Sequence, residues 1–397
     1  MTQPQSLPAD PAPQGGVGNV IPLVRPSAAA PGTNRLNERF LRQVDARLAE
    51  VVQSLVQTWR HELFTENGAG TGSLPPMDIL LDRDLPEILR VLTMTGGKRI
   101  RPSMCFWGWV AAGGRTRDGQ DQVVQAGAAL ELLHIFALIH DDVMDESASR
   151  RGRPSVHTLA AQLHLHSAAR GSARRFGESI AILVGDLAHA EADYMVTELP
   201  QAMRQIWRLL VIELVQGQSR DITGTAAARR DLAHARQVAQ MKSGAYTVQR
   251  PLQLGAAAAE AESHVVAAIT RYGREVGEAF ALRDDLLGVW GDPHLTGKPA
   301  GDDLLSGKPT VILSLADERM RGADRQLLAR VGTPELSPAD VGHLQDALQA
   351  SGVVDAVESR ISGHVHAAVA ELDHPGLSAE GVAGLTQMAY RIAWRDR

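Results

Sequence analysis

Three aspartates at the end of one apolar segment are the residues of this sequence best placed to do chemistry. The run from Glu131 to His140 is mostly apolar, and it is followed by Asp141, Asp142 and Asp145. Asp141 and Asp145 are four residues apart, so their carboxylates lie on one face of a helix. Carboxylates at the end of a buried helix repel each other unless a cation neutralises them. Hard oxygen ligands on one face suit Mg2+, which usually takes one or two carboxylates plus substrate phosphates.

The other interpretation of this motif is a solvated acidic helix end, and the apolar run in front of it favours the metal site. A second acidic pair occurs in a similar setting. Asp284 and Asp285 lie within the segment from Phe280 to Trp290, and the loop behind it carries Lys298. Two acidic helices, each accompanied by basic loops, suggest a cavity for several Mg2+ ions and a polyanion, where metals stabilise a leaving group.

Two basic segments flank the first acidic motif. The segment from Gly96 to Pro102 holds two glycines and three cations, and the segment from Arg150 to Pro154 holds three arginines. Glycines let backbone N–H groups approach an anion and the cations neutralise it, so both segments are candidate phosphate sites. Either segment alone would be read as a solvated basic turn. Lys242 and Ser243, taken alone, would be read as surface residues.

Cysteine and histidine do not indicate a transition-metal site. The only cysteine, Cys105, excludes an internal disulfide and a cysteine-rich zinc site, which favours a reducing cytoplasm. His164 and His166 are two residues apart, which places them on different sides of a helix without companion ligands. We assign them no metal role.

Composition favours helices. Aromatic residues make up only 4% of the 397 residues, while hydrophobic residues reach 44%, with many alanines and leucines. A net charge of −6 without a long basic run argues against a nucleic-acid partner. We find no apolar run of membrane-spanning length, and no signal peptide, because the first basic residue is Arg25 and no apolar core follows it.

The pattern along the chain predicts one large all-α domain. Residues 1–35 hold seven of the 20 prolines without periodicity, which predicts a disordered tail. Residues 36–397 are predicted to form helices, one of them from Leu85 to Thr95. Residues 113–121 are predicted to be a loop that precedes the central helix. Ser337, followed by proline, is predicted to begin a late helix. Alternating strand patterns are not found.

In this order, the motifs resemble those of the trans-isoprenyl diphosphate synthase family, the all-α polyprenyl synthetases. The resemblance runs from about residue 36 to the end of the chain. It implies an isoprenoid-synthase-type bundle of antiparallel helices around a deep central cavity, usually in a homodimer. It also implies a Mg2+-dependent prenyltransferase that joins isopentenyl diphosphate head to tail to an allylic diphosphate (dimethylallyl, geranyl or farnesyl).

The resemblance assigns the acidic residues to metal binding. Asp141 and Asp145 match the first aspartate-rich motif and would ligate Mg2+ on the allylic diphosphate, with Asp142 in support. Asp284 matches the leading carboxylate of the second motif, with Asp285 beside it. Three Mg2+ ions are expected when substrate is bound.

The resemblance assigns the basic residues to the two diphosphates. Lys98, Arg101 and His134 match the contacts to isopentenyl diphosphate. Arg150 matches a contact to the allylic diphosphate, and Arg151 a contact to isopentenyl diphosphate.

Further matches surround the allylic diphosphate. Lys242, Ser243 and Lys298 match groups that close over it, and Lys242 is expected to take part in catalysis with the metal ligands. Gln218 and Asp221 match a polar pair on the cavity wall.

Two residues depart from the family pattern. Gly288 stands where the second motif usually has a third aspartate, and Ala281 stands where many members have glutamine. Asp292 lies a full turn further on and is not expected to replace the missing carboxylate. Neither departure removes the leading ligand, so we expect activity and expect Gly288→Asp to change turnover little.

Two alternatives of other classes remain open at this stage. A class I terpene cyclase also uses an acidic motif and Mg2+ in an all-α cavity, but it would leave the basic segment from Gly96 to Pro102 without a role. A non-catalytic subunit of a heteromeric synthase should have lost carboxylates of the first motif, and all three are present.

Product length is expected to depend on Phe136 and Ala137. Ala137 lies one turn below Asp141 on the same helix face, and Phe136 lies beside it, about 7.5 Å below by helical rise. In the family, a single aromatic residue five positions before the first motif resembles geranylgeranyl diphosphate synthases, whereas two adjacent aromatics go with farnesyl products. We therefore expect a C20 product, with C15 as the alternative.

Overall fold

The described residues fold mainly into helices. The structure, a computed structural model, describes residues 31–65, 83–150, 152–292 and 300–395. The first eight helices are α1 (Pro31–Thr65), α2 (Leu85–Met94), α3 (Ile100–Ala111), α4 (Arg117–Met144), α5 (Val156–His166), α6 (Ala173–Thr197), α7 (Gln201–Ala226) and α8 (Leu232–Val238). They are followed by a π-helical segment (Ala239–Gln249), α9 (Arg250–Ala258), α10 (Ser263–Trp290), α11 (Asp302–Ser306), α12 (Val311–Arg319), α13 (Gly322–Leu328), α14 (Pro338–Ala350), α15 (Val353–Ala370) and α16 (Ala379–Ala393). The prediction of an all-α fold is confirmed.

Helix α4 lies in the middle of the fold, in contact with α1, α3, α6 and α9. It begins at Arg117, so the predicted loop ends earlier than expected: the hydroxyl of Thr116 accepts a hydrogen bond from the N–H of Gly119 at 3.1 Å. That cap fixes the first turn in spite of the local polar sequence.

The expectation that no apolar run reaches membrane-spanning length is wrong for α4. By length and composition this helix could cross a membrane, with a mean hydropathy of 1.6 in its most apolar window. However, 61% of that window is buried inside the protein. A mostly buried helix passes the same test when it forms the core of a domain, and α4 has that position here.

Helix α1 begins before the predicted end of the tail. The structure has helix from Pro31, five residues earlier than the expected boundary at residue 36. Proline is tolerated in the first turn of a helix because its missing N–H has no intrahelical partner there. Asn37 Nδ2 donates to Ser103 Oγ at 3.1 Å, and Thr33 Oγ1 donates to Gln387 Oε1 at 3.1 Å, which ties this turn to α3 and α16. Residues 1–30 lie outside the described residues.

One hydrophobic core extends from Phe40 in α1 to Ala393 in α16. The predicted start of a late helix is confirmed, since Ser337 is the N-cap of α14 and its N–H donates to the Asp340 carboxylate at 3.0 Å. The connection between α5 and α6 is short, because α5 continues to His166 and α6 begins at Ala173.

A two-residue ribbon follows the first acidic motif, a small exception to the helical prediction. Ser149–Arg150 pairs antiparallel with Arg153–Pro154. Gly152 in the turn has φ +71°, a left-handed conformation that glycine adopts without strain. The ribbon holds Arg150 close to the end of α4.

The π-helical segment fits between α7 and α10 because glycines face it. A Cβ on Gly217 would lie 2.5 Å from the backbone nitrogen of Lys242, and Gly244 and Gly277 meet backbone to backbone. The wide π turn and these close approaches place Lys242 at the cavity. Such segments frequently mark functional sites.

Candidate active site

The predicted site residues surround one cavity of about 1230 Å3. It is lined from α4, α7, the π-helical segment, α10 and the loops before α3 and α12. Of the predicted residues, the following line it: Lys98, Arg101, His134, Phe136, Ala137, Asp141, Arg150, Gln218, Asp221, Lys242, Ser243, Asp284 and Asp285. Arg151 and Lys298 lie outside the described residues.

Asp141 is the centre of the ionic network. Lys242 Nζ lies 2.9 Å from Asp141 Oδ1, and Arg150 Nη2 lies 3.5 Å from Asp141 Oδ2. Burial alone would raise the pKa of this carboxyl, but Lys242, Lys308 and Arg150 outweigh it and hold the pKa below its ordinary value. Asp141 is therefore a carboxylate at any physiological pH.

Lys242 links the two sides of the network. Its Nζ donates to Asp141 Oδ1 at 2.9 Å and to Asp221 Oδ2 at 2.6 Å. Burial would lower the pKa of Lys242, but Asp141 and Asp221 raise it overall, so the ammonium keeps its charge. Of the predicted polar pair, Asp221 thus holds the lysine, whereas Gln218 Nε2 contacts Met144 Sδ at 3.5 Å.

Asp142, unlike Asp141, does not line the cavity, and neither does Asp145. Asp142 is 4% exposed and accepts a hydrogen bond from Arg150 Nε at 2.8 Å. A second contact joins Arg150 Nη2 to the same oxygen at 2.7 Å. The structure therefore places Asp142 behind the cavity, where it orients Arg150.

Asp145 caps the end of α4 and is paired with a lysine that sequence reasoning did not single out. Lys308 Nζ lies 2.6 Å from Asp145 Oδ2 and 3.9 Å from Asp303 Oδ1. Burial would lower the pKa of Lys308, but Asp303, Asp141 and Asp145 raise it well above 10.5. The signal was present in the sequence, since Lys308 follows Gly307 directly after the acidic turn that contains Asp303.

The second acidic motif faces the cavity with two unlike carboxyls. Asp284 is half-exposed and forms a salt bridge with the guanidinium of Arg395. The same guanidinium lies 4.1 Å from the centre of the Phe280 ring. Asp285 is buried. Burial, with the charge of Asp303, raises its pKa well above 3.8, although the N–H of Val311 donates to it at 3.2 Å.

Gly288 faces a carboxylate from another part of the chain. A Cβ built on Gly288 would lie 1.9 Å from Asp303 Oδ2. The space beside Gly288 is thus filled by Asp303, at the start of α11. Sequence reasoning missed this residue because 15 positions and a loop separate it from Gly288.

The basic segment before α3 divides into two roles. Arg101 Nη2 donates to Thr247 Oγ1 at 2.9 Å, and its guanidinium lies over the Tyr246 ring at 4.1 Å. Arg99, which has φ +49°, instead pairs with Glu131 at 2.5 Å and with Asp45 at 2.9 Å. Arg99 therefore fixes the loop, and Arg101 faces the cavity beside neutral groups.

Phe136 and Ala137 line the cavity below Asp141, as expected. The ring of Phe136 lies between two histidines. It stacks on His189 with ring centroids 4.6 Å apart and an interplanar angle of 18°, and it meets His140 edge-on at 4.6 Å.

The donor set fits a metal that shares its ligands with a phosphate. Asp141, Asp284 and Asp285 offer hard oxygen atoms to one cavity, with Lys242 and Lys308 among them. Among the described residues, no three carboxylate, histidine or cysteine groups are arranged to hold an ion by themselves. Mg2+ suits such a site, because it commonly takes one or two carboxylates and completes its shell with substrate phosphates and water.

Comparisons with known proteins agree with this geometry. A sequence model of the family described as polyprenyl synthetase matches residues 82–349. A geranylgeranyl diphosphate synthase of Mycobacterium tuberculosis is 32% identical over 303 residues, 75% of this chain and 80% of that protein. A geranylfarnesyl diphosphate synthase of Aeropyrum pernix is 31% identical over 286 residues, 70% of this chain and 83% of that protein.

Solved structures show the same relationship. The geranylgeranyl pyrophosphate synthase of Corynebacterium glutamicum, complexed with isoprenyl diphosphate and magnesium, has a TM-score of 0.79 and 34% identity. The match covers 90% of this chain and 99% of that one. Since the family model spans more than half of the sequence, this chain belongs to the polyprenyl synthetase family.

Proposed function

We propose that this protein condenses isopentenyl diphosphate with allylic diphosphates, head to tail, to make an all-trans product of C20 length. The observation that carries the proposal is a cavity lined by Asp141, Asp284 and the half-buried cations Lys242 and Lys308. Such a cavity offers sites for a metal-bound diphosphate above an apolar channel. The family membership of the chain supports the same reaction.

The acidic residues are proposed to hold Mg2+. Asp141 and Asp145 on α4, and Asp284 and Asp285 on α10, would bind it together with the allylic diphosphate, with three ions at full occupancy. Bound Mg2+ supplies Lewis-acid stabilisation of the departing diphosphate. The Corynebacterium relative was crystallised with magnesium, and a polyprenyl synthase of Caulobacter crescentus with calcium, which supports use of a divalent ion.

The cations are proposed to stabilise the leaving group. Lys242, Lys308 and Arg150 lie within 4 Å of the first-motif carboxylates and keep their charge when buried. Fixed charges in a dry site stabilise developing negative charge without reorganisation. The apolar wall below Asp141 excludes water from the allylic cation. The double bond of isopentenyl diphosphate attacks that cation, and the tertiary cation that results loses a proton to the released diphosphate.

The second diphosphate is proposed to bind at the loop before α3. Arg101, with Lys98 and His134, lines the cavity on that side. A site for a second diphosphate is what a condensing enzyme needs and a cyclase does not. We therefore place isopentenyl diphosphate there and the allylic substrate between the acidic motifs.

A C20 product is favoured over C15. The single ring at Phe136, followed by the small Ala137, leaves depth below the proposed metal site. Relatives of similar sequence identity include geranylgeranyl, geranylfarnesyl and farnesyl diphosphate synthases. Sequence identity alone therefore does not indicate the length of the product. The alternative product is farnesyl diphosphate.

Incubation of the purified chain alone tests the proposed function. The assay supplies labelled isopentenyl diphosphate, dimethylallyl, geranyl or farnesyl diphosphate, and Mg2+, with Asp141→Ala as the inactive comparison. We expect labelled prenyl diphosphates in the wild type. Cyclic hydrocarbon without incorporation of label would indicate a cyclase. Complete inactivity until a partner chain is added would indicate a non-catalytic subunit, a possibility raised by the relative that is component 2 of a heptaprenyl synthase.

The partner that we propose for this chain is a second copy of itself. Helices α6 and α7 expose large apolar side chains, among them Ile182, Leu183, Tyr194, Leu209 and Ile212. Such a surface is typical of an interface. Light scattering should give the mass of a dimer, and Ile212→Glu should shift it towards the monomer. A monomeric wild type would exclude the homodimer.

The protein is proposed to work in the cytoplasm, without a nucleic-acid partner and without stable membrane insertion. Cys105 is buried and unpaired, and α4 is used as a core helix. Fractionation of cells that express the tagged chain would test the location, and recovery in the membrane pellet after a high-salt wash would contradict it.

A further inference from the structure

The ring of Phe136 is held by groups on another helix. His189 on α6 stacks on one face of the ring with an interplanar angle of 18°, and His140 on α4 meets it edge-on. Both ring centroids lie 4.6 Å from that of Phe136. Stacked and edge-on pairs at such distances stabilise the ring orientation beyond the burial of area.

His140 is held by a hydrogen bond, whereas His189 is held by packing. His189 Nε2 lies 3.7 Å from Asp193 Oδ2, and the other oxygen of Asp193 accepts a hydrogen bond from the indole N–H of buried Trp207 at 2.7 Å. His140 Nε2 lies 3.1 Å from the carbonyl oxygen of Ile182. The stacked contact between His189 and Phe136 therefore connects α6 to the ring on α4.

A glycine allows the helices to approach closely at this point. A Cβ on Gly185 would lie 2.3 Å from the His140 ring, so α6 can pack there only without a side chain. Phe136 and His140 line the cavity, whereas His189 does not. Any influence of His189 on the cavity therefore passes through Phe136.

We propose that His189 is a positioning residue for product length. It holds the ring of Phe136 across the channel below Asp141, so that the floor is a stacked pair of rings from α4 and α6 and not one mobile side chain. A free Phe136 ring could rotate about χ1 towards the space that His189 occupies, and the channel would deepen. The inference rests on the proposed prenyltransferase function and adds a residue outside the cavity to it.

Product length in three variants tests the inference. His189→Ala should raise the ratio of products longer than C20 to C20 by roughly two- to tenfold, which corresponds to loss of one aromatic pair. His189→Phe keeps a planar ring and should keep the wild-type ratio. His343→Ala, at an exposed position on α14, is the matched control and should change nothing.

A double-mutant cycle separates positioning from general loosening. If His189 acts through Phe136, then His189→Ala should change the length ratio in the wild-type background and not in the Phe136→Ala background. Equal effects in both backgrounds, or an unchanged ratio in His189→Ala with normal turnover, would overturn the proposal. A wild type that forms no prenyl product would instead contradict the proposed function, so the two failures are distinguishable.

Discussion

Single residues of the basic segment differ in what they bind. Arg99 is almost completely buried, and its charge is neutralised by Glu131 and Asp45. Arg101 contacts a hydroxyl and an aromatic ring, both neutral. Neighbouring cations of the same motif thus differ, since Arg99 is used in the structure and Arg101 faces the cavity, a distinction that the sequence does not make.

Removal of the ligand-facing cations should weaken binding of one substrate. Lys98→Ala or Arg101→Ala should raise the KM for isopentenyl diphosphate, since each removes a charge-assisted contact of about 1.5–3 kcal/mol. Arg99→Ala should instead lower Tm, because it leaves Glu131 buried without its partner. Steady-state kinetics with each substrate varied in turn shows which of the two KM values changes. A rise in the KM for the allylic primer would show that the two sites are reversed.

The carboxylate beside Gly288 changes one expectation from the sequence. Gly288→Asp was expected to be nearly neutral, but its Cβ would lie 1.9 Å from Asp303 Oδ2, so Asp303 must move away. We now expect the single variant to need several-fold more Mg2+ for half-maximal turnover. Gly288→Asp combined with Asp303→Gly should recover most of the loss, because one carboxylate again fills the space. Titration with Mn2+, followed by electron paramagnetic resonance, measures metal binding directly. A double variant that binds Mn2+ more weakly than either single variant would show that a carboxylate at position 288 does not replace that of Asp303.

The raised pKa of Asp285 should make the metal-free protein less stable as the pH rises. Burial and the charge of Asp303 raise the pKa of this carboxyl well above 3.8, so the folded chain binds its proton more tightly than the unfolded chain. The stability that this proton contributes is complete below 3.8 and is lost as the pH rises through the folded-state pKa.

Asp285→Asn tests this linkage in EDTA buffer. The variant keeps an oxygen that can accept from the N–H of Val311, and it should raise Tm at pH 8 by roughly 2–4 °C for each kcal/mol of relieved charge. Below pH 4 its Tm should be close to that of the wild type. Asp324→Asn, at an exposed position, serves as control. A lower Tm for Asp285→Asn at pH 8 would contradict the argument.

Elements with a clear apolar period were predictable, and their ends and irregularities were not. The spacing of Val357, Ile361 and Val365 predicts α15 because each side chain enters the core. The start of α4 was predicted too late, because its first turn has a polar sequence typical of a loop. The hydroxyl of Thr116 nevertheless caps that turn as helix. The π-helical segment depends on glycines of α7 and α10, contacts that become visible only in the folded chain.

The same reasoning explains which site residues could be found. Asp141, Asp284 and Lys242 belong to short motifs with fixed spacing, so they were identified from the sequence, and the structure brings them to one cavity. Lys308 and Asp303 act through partners far away in sequence, and His189 through a ring on another helix. Such roles depend on packing between elements.

A side chain on Gly217 should disturb the π-helical segment. A Cβ there would lie 2.5 Å from the backbone nitrogen of Lys242, and backbone cannot move aside as a flexible side chain can. We expect Gly217→Ala to cost about 1–3 kcal/mol of stability, as overpacking does, and to lower kcat by displacing Lys242 from Asp141. Gly342→Ala in α14 meets nothing within 4 Å and should stabilise the protein by about 0.5–1 kcal/mol. Thermal unfolding and kcat are measured for both, and wild-type values for Gly217→Ala would rule out the role of the glycine.

The whole molecule carries a net charge of −6, yet its cavity concentrates cations. Lys98, Arg101, Arg150, Lys242 and Lys308 line one cavity together with the carboxylates proposed to bind metal. A cleft lined in this way focuses the field on anionic ligands even when the surface is acidic. The polar end of the cavity therefore selects diphosphates, and its apolar depth below Asp141 remains to set how long a chain can grow.

Product length should follow that depth. Phe136 lies about 7.5 Å from Asp141 along α4, and its ring is held by His189, while Ala137 leaves open space on the adjoining face. Phe136→Ala should open the floor and give products longer than C20. Ala137→Phe should place a second ring in the channel and shorten the products towards C15. Thin-layer chromatography of the dephosphorylated products measures both changes, with total incorporation as the control for turnover. If the length distribution is the same in both variants and in the wild type, the floor lies elsewhere in the cavity.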